Sequence, residues 1–355
     1  MSAASLNTAG ANAAPVAPVE KSEGVWHAAW RRFKADRVGM ISAVVVLAFL
    51  LLVLLAALGV VAKNWQAEVG VANAPPTFIG PKPPEATGAI EVPKGPNVDL
   101  SAVDPLAPRY AEIEEAAKKY RTADTAKAET LSLGADRLGR DVLAKAIKGT
   151  EISVFVGVLA AVLATLIGTV LGALAGFFGG KVGDFLEWLY NVFEAIPGIL
   201  LIFAFAAVFG RGIGTVVLIL GLAGWTGLYR QVRAEFMKHG GREYVRAAEA
   251  IGASAFSRMF KHILPNISHV ILVRMSLLVV GFIKSEVILS YLGLGVGVED
   301  VSWGTMLAEA QSELILGHWW QLAAATAFMA VFVTAFSLMA DAVRDALDPK
   351  LRGLE

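Results

Sequence analysis

The feature that most restricts this chain is a set of apolar runs about twenty residues long, the length needed to cross roughly 30 Å of hydrocarbon. Six can be read: Val38 to Ala62, Ile152 to Phe178, one within Phe185–Phe209, one within Ile213–Tyr229, roughly Val270–Leu292, and Trp319–Ala340. In hydrocarbon every backbone N–H and C=O must be satisfied internally, so runs of this length spell helices. An all-α polytopic membrane protein follows. The third run is the least regular, because Glu187, Asn191, Glu194 and Pro197 interrupt its first half, and a kink is expected there. Hydrophobic residues make up 56% of the chain and charged ones 17%, with a mean hydropathy of +0.60. Ordinary soluble domains carry about 25% charge.

Other counts exclude whole classes. Lys plus Arg equals Asp plus Glu at 31 each, so no global charge draws the chain to nucleic acid. There are no cysteines, and the five histidines (27, 239, 262, 269 and 318) lack close ligand spacing, so no disulfide, thiolate or metal site is expected. Residues 1–20 are rich in Ala, Pro and Ser without the apolar core of a signal peptide; they read as a disordered cytoplasmic tail.

Lys and Arg near the span ends set the orientation. Lys21, Arg31, Arg32, Lys34 and Arg37 precede the first run. Arg230, Arg233, Lys238, Arg242, Arg246, Arg258 and Lys261 lie between the fourth and fifth. Segment 293–318 has no Lys or Arg but holds Glu299, Asp300, Glu309 and Glu313. An even number of spans then puts both termini in the cytoplasm and the stretch from Lys63 to Glu151 outside. Within it, residues 74–108 are Pro- and Gly-rich and read as an extended wrap or linker. Residues 109–130 read as a solvated helix on the outer face, in preference to a substrate-contacting lid, with Glu114/Lys118 and Glu115/Lys119 at i,i+4 spacing.

The long stretch between the fourth and fifth runs, GREYVRAAEAIGASAFSRMFKHILPN, reads as a charged helix that breaks at Gly252, continues amphipathically and ends at Pro265. Ala247, Ala248, Gly252, Ala253 and Ser254 would let another protein's backbone approach closely; the plainer reading is an interfacial helix pair that orients the bundle. Gly168, Gly172 and Gly176 repeat every four residues and read as a close-packing seam, within the chain rather than between subunits. Gly176-Phe-Phe-Gly-Gly-Lys181 lacks the following Ser/Thr of a nucleotide loop, and the Gly210 and Gly293 repeats follow no strand, so no nucleotide site is expected here.

The stretch 243–265 resembles the EAA loop of ABC-importer permease subunits, the segment that docks on the cytoplasmic ATPase. The family pattern is Glu-Ala-Ala, three residues, Gly, nine residues, Ile, any residue, Leu-Pro. Ala247, Ala248, Gly252, Leu264 and Pro265 match it in spacing. Arg246 stands where Glu is usual and His262 where Ile is. Glu249 stands three positions on, where the oligopeptide branch often has a basic residue, so the pair has exchanged signs. AWRRFKADRVGM, LGADRLGRDVLAKAIKGTEIS (with Ala135 and Arg137 as departures), LSYLGLGVGVEDVSWGTML and DAVRDALDPKLR resemble the C-type permease of the dipeptide/oligopeptide/nickel group. The resemblance covers about residues 26–62 and 131–352. The insert of about 65–130 has no counterpart in shorter members.

The resemblance implies a type I ABC-importer transmembrane fold with six transmembrane helices and a long extracytoplasmic insert after the first. It divides the chain into a cytoplasmic tail 1–37, a first helix 38–62, an extracytoplasmic loop 63–150, a five-helix core 151–342 containing the coupling loop 230–267, and a cytoplasmic C-terminus 343–355. It implies a bacterial inner-membrane location and a heterodimer with a homologous B-type permease. It also implies two ATP-binding subunits carrying ATP and Mg, an extracytoplasmic solute-binding protein, and dipeptides or oligopeptides as solute. This chain would be a non-catalytic subunit with no cofactor of its own. Coupling falls on Glu243, Arg246, Ala247, Ala248, Glu249, Gly252, Leu264 and Pro265.

Charges inside spans mark function. Arg274 can reach the cytoplasmic surface from the end of the fifth run, while Lys284 and Glu286 lie deeper. Glu286 matches a Glu usual in the family; Lys284 and Glu194 stand where the family is mostly apolar. Two readings stay open for these two: a pair across the third and fifth spans, or one of them lining the pathway. The rival to the importer is a stand-alone ion-coupled transporter using Glu194, Lys284 and Glu286 as a proton relay, although no internal repeat is found.

Overall fold

The computed structural model describes residues 25–81, 104–118 and 127–347. The expected tail before residue 25, the stretch 82–103, residues 119–126 and the C-terminal motif from 348 onward lie outside them. Helices dominate, and among the described residues β-structure is limited to isolated bridges.

Helix α1 spans Val25–Ala35 and α2 spans Arg37–Ala57. Asp36 separates them, its carboxylate accepting from the N–H of Val38 at 2.9 Å and capping α2. The first span is therefore shorter than Val38–Ala62: Gly59 takes a positive φ of 68°, and the N–H of Val60 returns to the carbonyl of Leu55 at 2.9 Å. Helix α3 covers Tyr110–Lys118. The helix expected across 109–130 does not extend over 127–130, whose backbone pairs instead with 69–71: Val71 N–H donates to the Ala128 carbonyl and Ala128 N–H to Val69, each at 2.9 Å.

Helix α4 runs from Val142 to Phe178, starting ten residues before the apolar run because Asp141 caps it through the N–H of Leu143. The third run is two helices, α5 (Gly180–Glu194) and α6 (Gly198–Phe209), bent by 86° at Pro197 rather than kinked. Proline drives the residue before it out of the helical region, so the break falls at Ile196. The fourth run is likewise α7 (Ile213–Ala223) and α8 (Thr226–Gly240), bent by 42°.

Helix α9 (Glu243–Ala250) follows, then a turn at Gly252 and a short α10 (Ala255–Ser257). A π-helical stretch, Arg258–Ile263, leads directly into α11 (Leu264–Tyr291). The second cytoplasmic helix thus does not end at Pro265. The N–H of Leu264 bonds to the carbonyl of Met259, five residues back. That wider turn precedes the proline, which lacks an N–H and would crowd an ordinary α-turn. Segment 293–318 contains α12 (Trp303–Ile315), capped by reciprocal Ser302–Thr305 bonds, and α13 spans Trp320–Leu347.

Among the described residues, α2, α4, α13 and the continuous Ala255–Tyr291 are long and apolar enough to cross a membrane, and the two bent pairs raise the number to as many as six. Helix α4 is the axis, packing on α2, α7, α8, α11 and α13. Its core joins Val156, Ala160 and Ala164 to Val216 and Leu220 of α7, Ile283 and Val287 of α11, and Phe332 of α13. Outside that core, α2 presents Ile41, Val44, Leu47, Leu51 and Leu54, all exposed. Such a face is stable only against lipid or another apolar surface. At one end of the bundle α1 packs on the last turns of α13, and α9 on α8. At the other, α12 and the start of α13 meet the start of α4.

Candidate functional site

The α8–α11 connection is held from beneath and open above. Val245 of α9 packs with Met259 and Ile263 of the π-stretch on Leu228, Val232 and Phe236 of α8 and Ala173 of α4. Ala248 is also buried, at 4% exposure. On the opposite face Glu243, Arg246, Ala247, Glu249 and Gly252 are exposed, with Ile251 at 86% and Phe256 at 66% exposure. Gly252 has φ +86°, which glycine adopts without strain, and this reverses the chain onto Ser254. Phe256 stacks on Phe260 at 5.2 Å between ring centres. Leu264 is half-buried and Pro265 exposed at the start of α11.

The two residues read as a sign-exchanged pair do not bond to each other. Glu249 binds Arg258 at 2.6 Å, and the Arg258 guanidinium lies 5.3 Å from the ring centre of Phe177 at the end of α4. Arg246 makes no ion pair among the described residues and faces outward. Local charge is therefore tied inward through Glu249 and presented outward through Arg246.

The glycine seam fixes α8 to α4. A Cβ on Gly168 would lie 2.8 Å from the Trp225 carbonyl, one on Gly172 2.7 Å from that of Tyr229, and one on Gly176 2.5 Å from that of Arg233. Backbone thus packs on side-chain-free backbone across three turns. Val245 of α9 thus rests, through Val232 and Phe236, on a helix that α4 holds at close range.

The charges in the spans are not brought together. Glu286 is fully buried, its Oε2 accepting from Ser153 Oγ of α4 and its Oε1 from Ser290 Oγ, each at 2.7 Å. Ser153 Oγ accepts from the N–H of Trp303 and Ser290 Oγ from that of Val296, each at 3.3 Å. One carboxylate thereby joins α4, α11 and the start of α12. Glu194 and Lys284 are both exposed, and among the described residues neither makes an ion pair, so the expected pairing across the third and fifth spans is not formed. Lys284 sits off the buried face that Ile283, Glu286 and Val287 share, and Glu194 ends α5 just before the 86° bend. Near Lys284, α6 and α11 enclose a cavity of about 270 Å³ lined by Phe203, Ser285 and Leu289.

One polar cluster escaped the sequence reading. Lys145, fully buried, donates to Asp136 at 2.7 Å, Glu309 at 2.5 Å and Gln321 at 3.1 Å. Arg140 adds a 2.6 Å bond to Asp136, and Glu313 accepts from the N–H of Arg137 at 3.0 Å. Burial alone would raise the Asp136 carboxyl, but the charge and hydrogen bond of Lys145, followed by Arg140, outweigh it and hold it below the usual carboxylate range. For Glu313 burial wins, and its carboxyl is raised. Asp136, Arg140 and Lys145 lie in the quoted stretch 133–153, but Glu309 and Gln321, which complete the cluster around Lys145, are more than 160 positions away. No group of His, Asp and Glu suited to a metal occurs among the described residues.

A helical bundle with several membrane-crossing helices, lipid-compatible outer faces and an exposed helix pair at one end defines a multi-pass membrane protein. The chain belongs to the family described as binding-protein-dependent transport system inner membrane component, whose model matches residues 168–353. The N-terminal TM domain of oligopeptide transport permease C matches residues 24–76. The chain is 38% identical over 219 residues to the dipeptide transport system permease protein DppC of Bacillus subtilis, covering 62% of this chain and 68% of that one. It is 31% identical over 247 residues to the oligopeptide transport system permease protein OppC of the same organism, covering 70% and 81%. The glutathione transport system permease protein GsiD of Pectobacterium atrosepticum is 36% identical over 222 residues, covering 62% and 73%.

Proposed function

We propose that this chain is one transmembrane permease subunit of an ATP-driven importer of dipeptides or oligopeptides. The observation that carries the reading is the α9–α10 surface. Val245 and Ala248 seat it on the bundle, while Arg246, Ala247, Gly252 and Phe256 are left uncovered at the basic end. Small and apolar groups left uncovered beside charges suit a partner protein's backbone better than they suit water. The named relatives, all permeases of peptide or glutathione systems, support the solute class.

In this reading the chain does no bond chemistry and binds no cofactor. It works with a homologous B-type permease, two ATP-binding subunits carrying ATP and Mg, and an extracytoplasmic binding protein. The basic end faces the cytoplasm with both termini, and residues 63–150 lie outside. ATP binding closes the ATPase pair and displaces α9. Its seat on α8 and the α4–α8 seam carry that displacement into the core, and the pathway between the paired permeases turns outward. Hydrolysis and product release return it. Glu194 and Lys284 are the polar features assigned to the pathway, with the largely apolar α6–α11 cavity beside them. The stand-alone ion-coupled reading is not favoured, since Glu286 is enclosed by serines and no ion pair links it to Glu194 or Lys284.

The test is gentle-detergent purification of the tagged chain from native membranes, followed by reconstitution into vesicles. A second permease and ATP-binding subunits should co-purify, and dipeptide uptake should require ATP. Uptake by this chain alone, without ATP, would overturn the proposal.

A further inference from the structure

The basic end also holds a cavity between helices other than α9. Helices α8, α11 and α13 enclose a cavity of about 340 Å³ whose polar lining is Gln231, His269, Arg274 and Arg344. Among the described residues no carboxylate lines it, and neither arginine has a hydrogen-bond or ion-pair partner. Arg274 is half-buried, and its Nε is sequestered without an acceptor. Asp341 and Asp345 neighbour Arg344 in sequence, yet both are exposed, outside the cavity, and make no ion pair with it. An uncompensated half-buried guanidinium is costly unless an anion fills the space before it.

The rest of the lining is apolar, including Val273 and Leu277. At Leu347 the cavity adjoins a groove of about 160 Å³ between α1 and α13, walled by Trp30, Phe33 and Val343 and almost devoid of polar surface. Trp30 and the basic residues of α1 place this groove where amphipathic helices lie at a membrane surface. A cationic cradle leading into an apolar groove matches a molecule with a phosphate at one end and a hydrocarbon chain at the other.

We propose that this cavity binds the headgroup phosphate of an anionic phospholipid through Arg274 and Arg344, with an acyl chain lying in the groove beneath α1. The site needs only that this end of the bundle lies at a membrane surface. It stands whichever solute the chain carries and whichever side that surface faces.

The experiment is native mass spectrometry of the full chain with its co-purifying partners, exchanged into vesicles containing equal phosphatidylglycerol and phosphatidylcholine. The wild type should retain phosphatidylglycerol preferentially. Arg344→Gln, at an exposed position, and Arg274→Gln should each weaken that retention about tenfold, as expected for loss of one charge-assisted hydrogen bond, while Arg344→Lys keeps most of it. Equal retention of both lipids, or unchanged retention in both Gln variants, would overturn the assignment. Displacement of the bound lipid by inorganic phosphate or by a dipeptide would also overturn it, making the site one for soluble anions.

Discussion

Glu286 and Ser153 meet across the α4–α11 interface at 2.7 Å, with no solvent exposure at either residue. Ser290 binds the other carboxylate oxygen, so two hydroxyls depend on one acidic side chain. Glu286→Gln keeps an oxygen acceptor for one serine, and the other hydroxyl can rotate to accept from the new amide. Glu286→Leu leaves both hydroxyls buried without an acceptor, at a cost of about 1–3 kcal/mol for each stranded group. Thermal unfolding in detergent should therefore rank wild type above Gln and Gln well above Leu. A Gln variant that is stable but loses ATP-driven uptake would show that the carboxylate does more than join helices.

The seam makes a sharper steric prediction. At Gly172 a Cβ would lie 2.7 Å from the Tyr229 carbonyl and 3.0 Å from the Val232 Cβ, whereas at Gly214 in α7 nothing lies within 4 Å. Gly172→Ala should destabilise by about 1–3 kcal/mol, since overpacking against backbone cannot be relieved by rotating a side chain. Gly214→Ala should be neutral or stabilising by up to about 1 kcal/mol through helix propensity. Equal effects at the two sites, read as unfolding midpoints, would mean that α4 and α8 are not held as described.

The buried cluster near α12 predicts a change in acid response. Asp136 has a lowered carboxyl pKa, so its stabilising contribution is complete above the ordinary carboxylate range and is lost as pH falls through the lowered value. Glu313, raised by burial, acts in the opposite sense: its cost is relieved as pH falls through the raised value. Lys145→Met removes the main cation and leaves Asp136 buried with its charge poorly matched, at a cost of about 3 kcal/mol near neutrality. Without that cation the Asp136 carboxyl rises, so acidification from pH 7 to 5 should narrow the gap between variant and wild type. A gap that stays constant or widens over that range would rule out Lys145 as the group that holds Asp136 charged.

Apolar length was enough to locate four helices long enough to cross a membrane and the two bent pairs, because hydrocarbon leaves a helix few alternatives. It could not place their ends. The start of α4 is fixed by Asp141 and by the partners of Lys145, and those partners belong to α12 and α13. Pro197 announced a disturbance, but the step from kink to an 86° bend depends on where α5 and α6 pack. Helix α12 was hidden because Glu309 and Glu313 read as loop charges until their distant partners are seen. The spacing of Ala247, Ala248 and Gly252 marked the α9 segment, whereas the choice of Arg258 as the partner of Glu249 needs the π-turn that brings them together.

The adjacent alanines of α9 separate folding from docking. Ala248 is 4% exposed on the face that rests on the bundle, while Ala247 is exposed on the other. Ala248→Leu forces extra methylenes into a filled space and should lower the unfolding midpoint of the chain by an amount equivalent to about 1–3 kcal/mol. Ala247→Trp adds bulk at a position that the described residues leave exposed, so stability should change by no more than about 0.5 kcal/mol, as for most surface substitutions. If α9 is the surface that receives the ATP-binding subunits, Ala247→Trp should nevertheless abolish their co-purification and ATP-driven uptake. The measurement pairs a detergent unfolding curve with a pull-down for each variant. A stable Ala247→Trp protein that still recovers ATP-binding subunits in wild-type yield would move the docking surface elsewhere on the molecule.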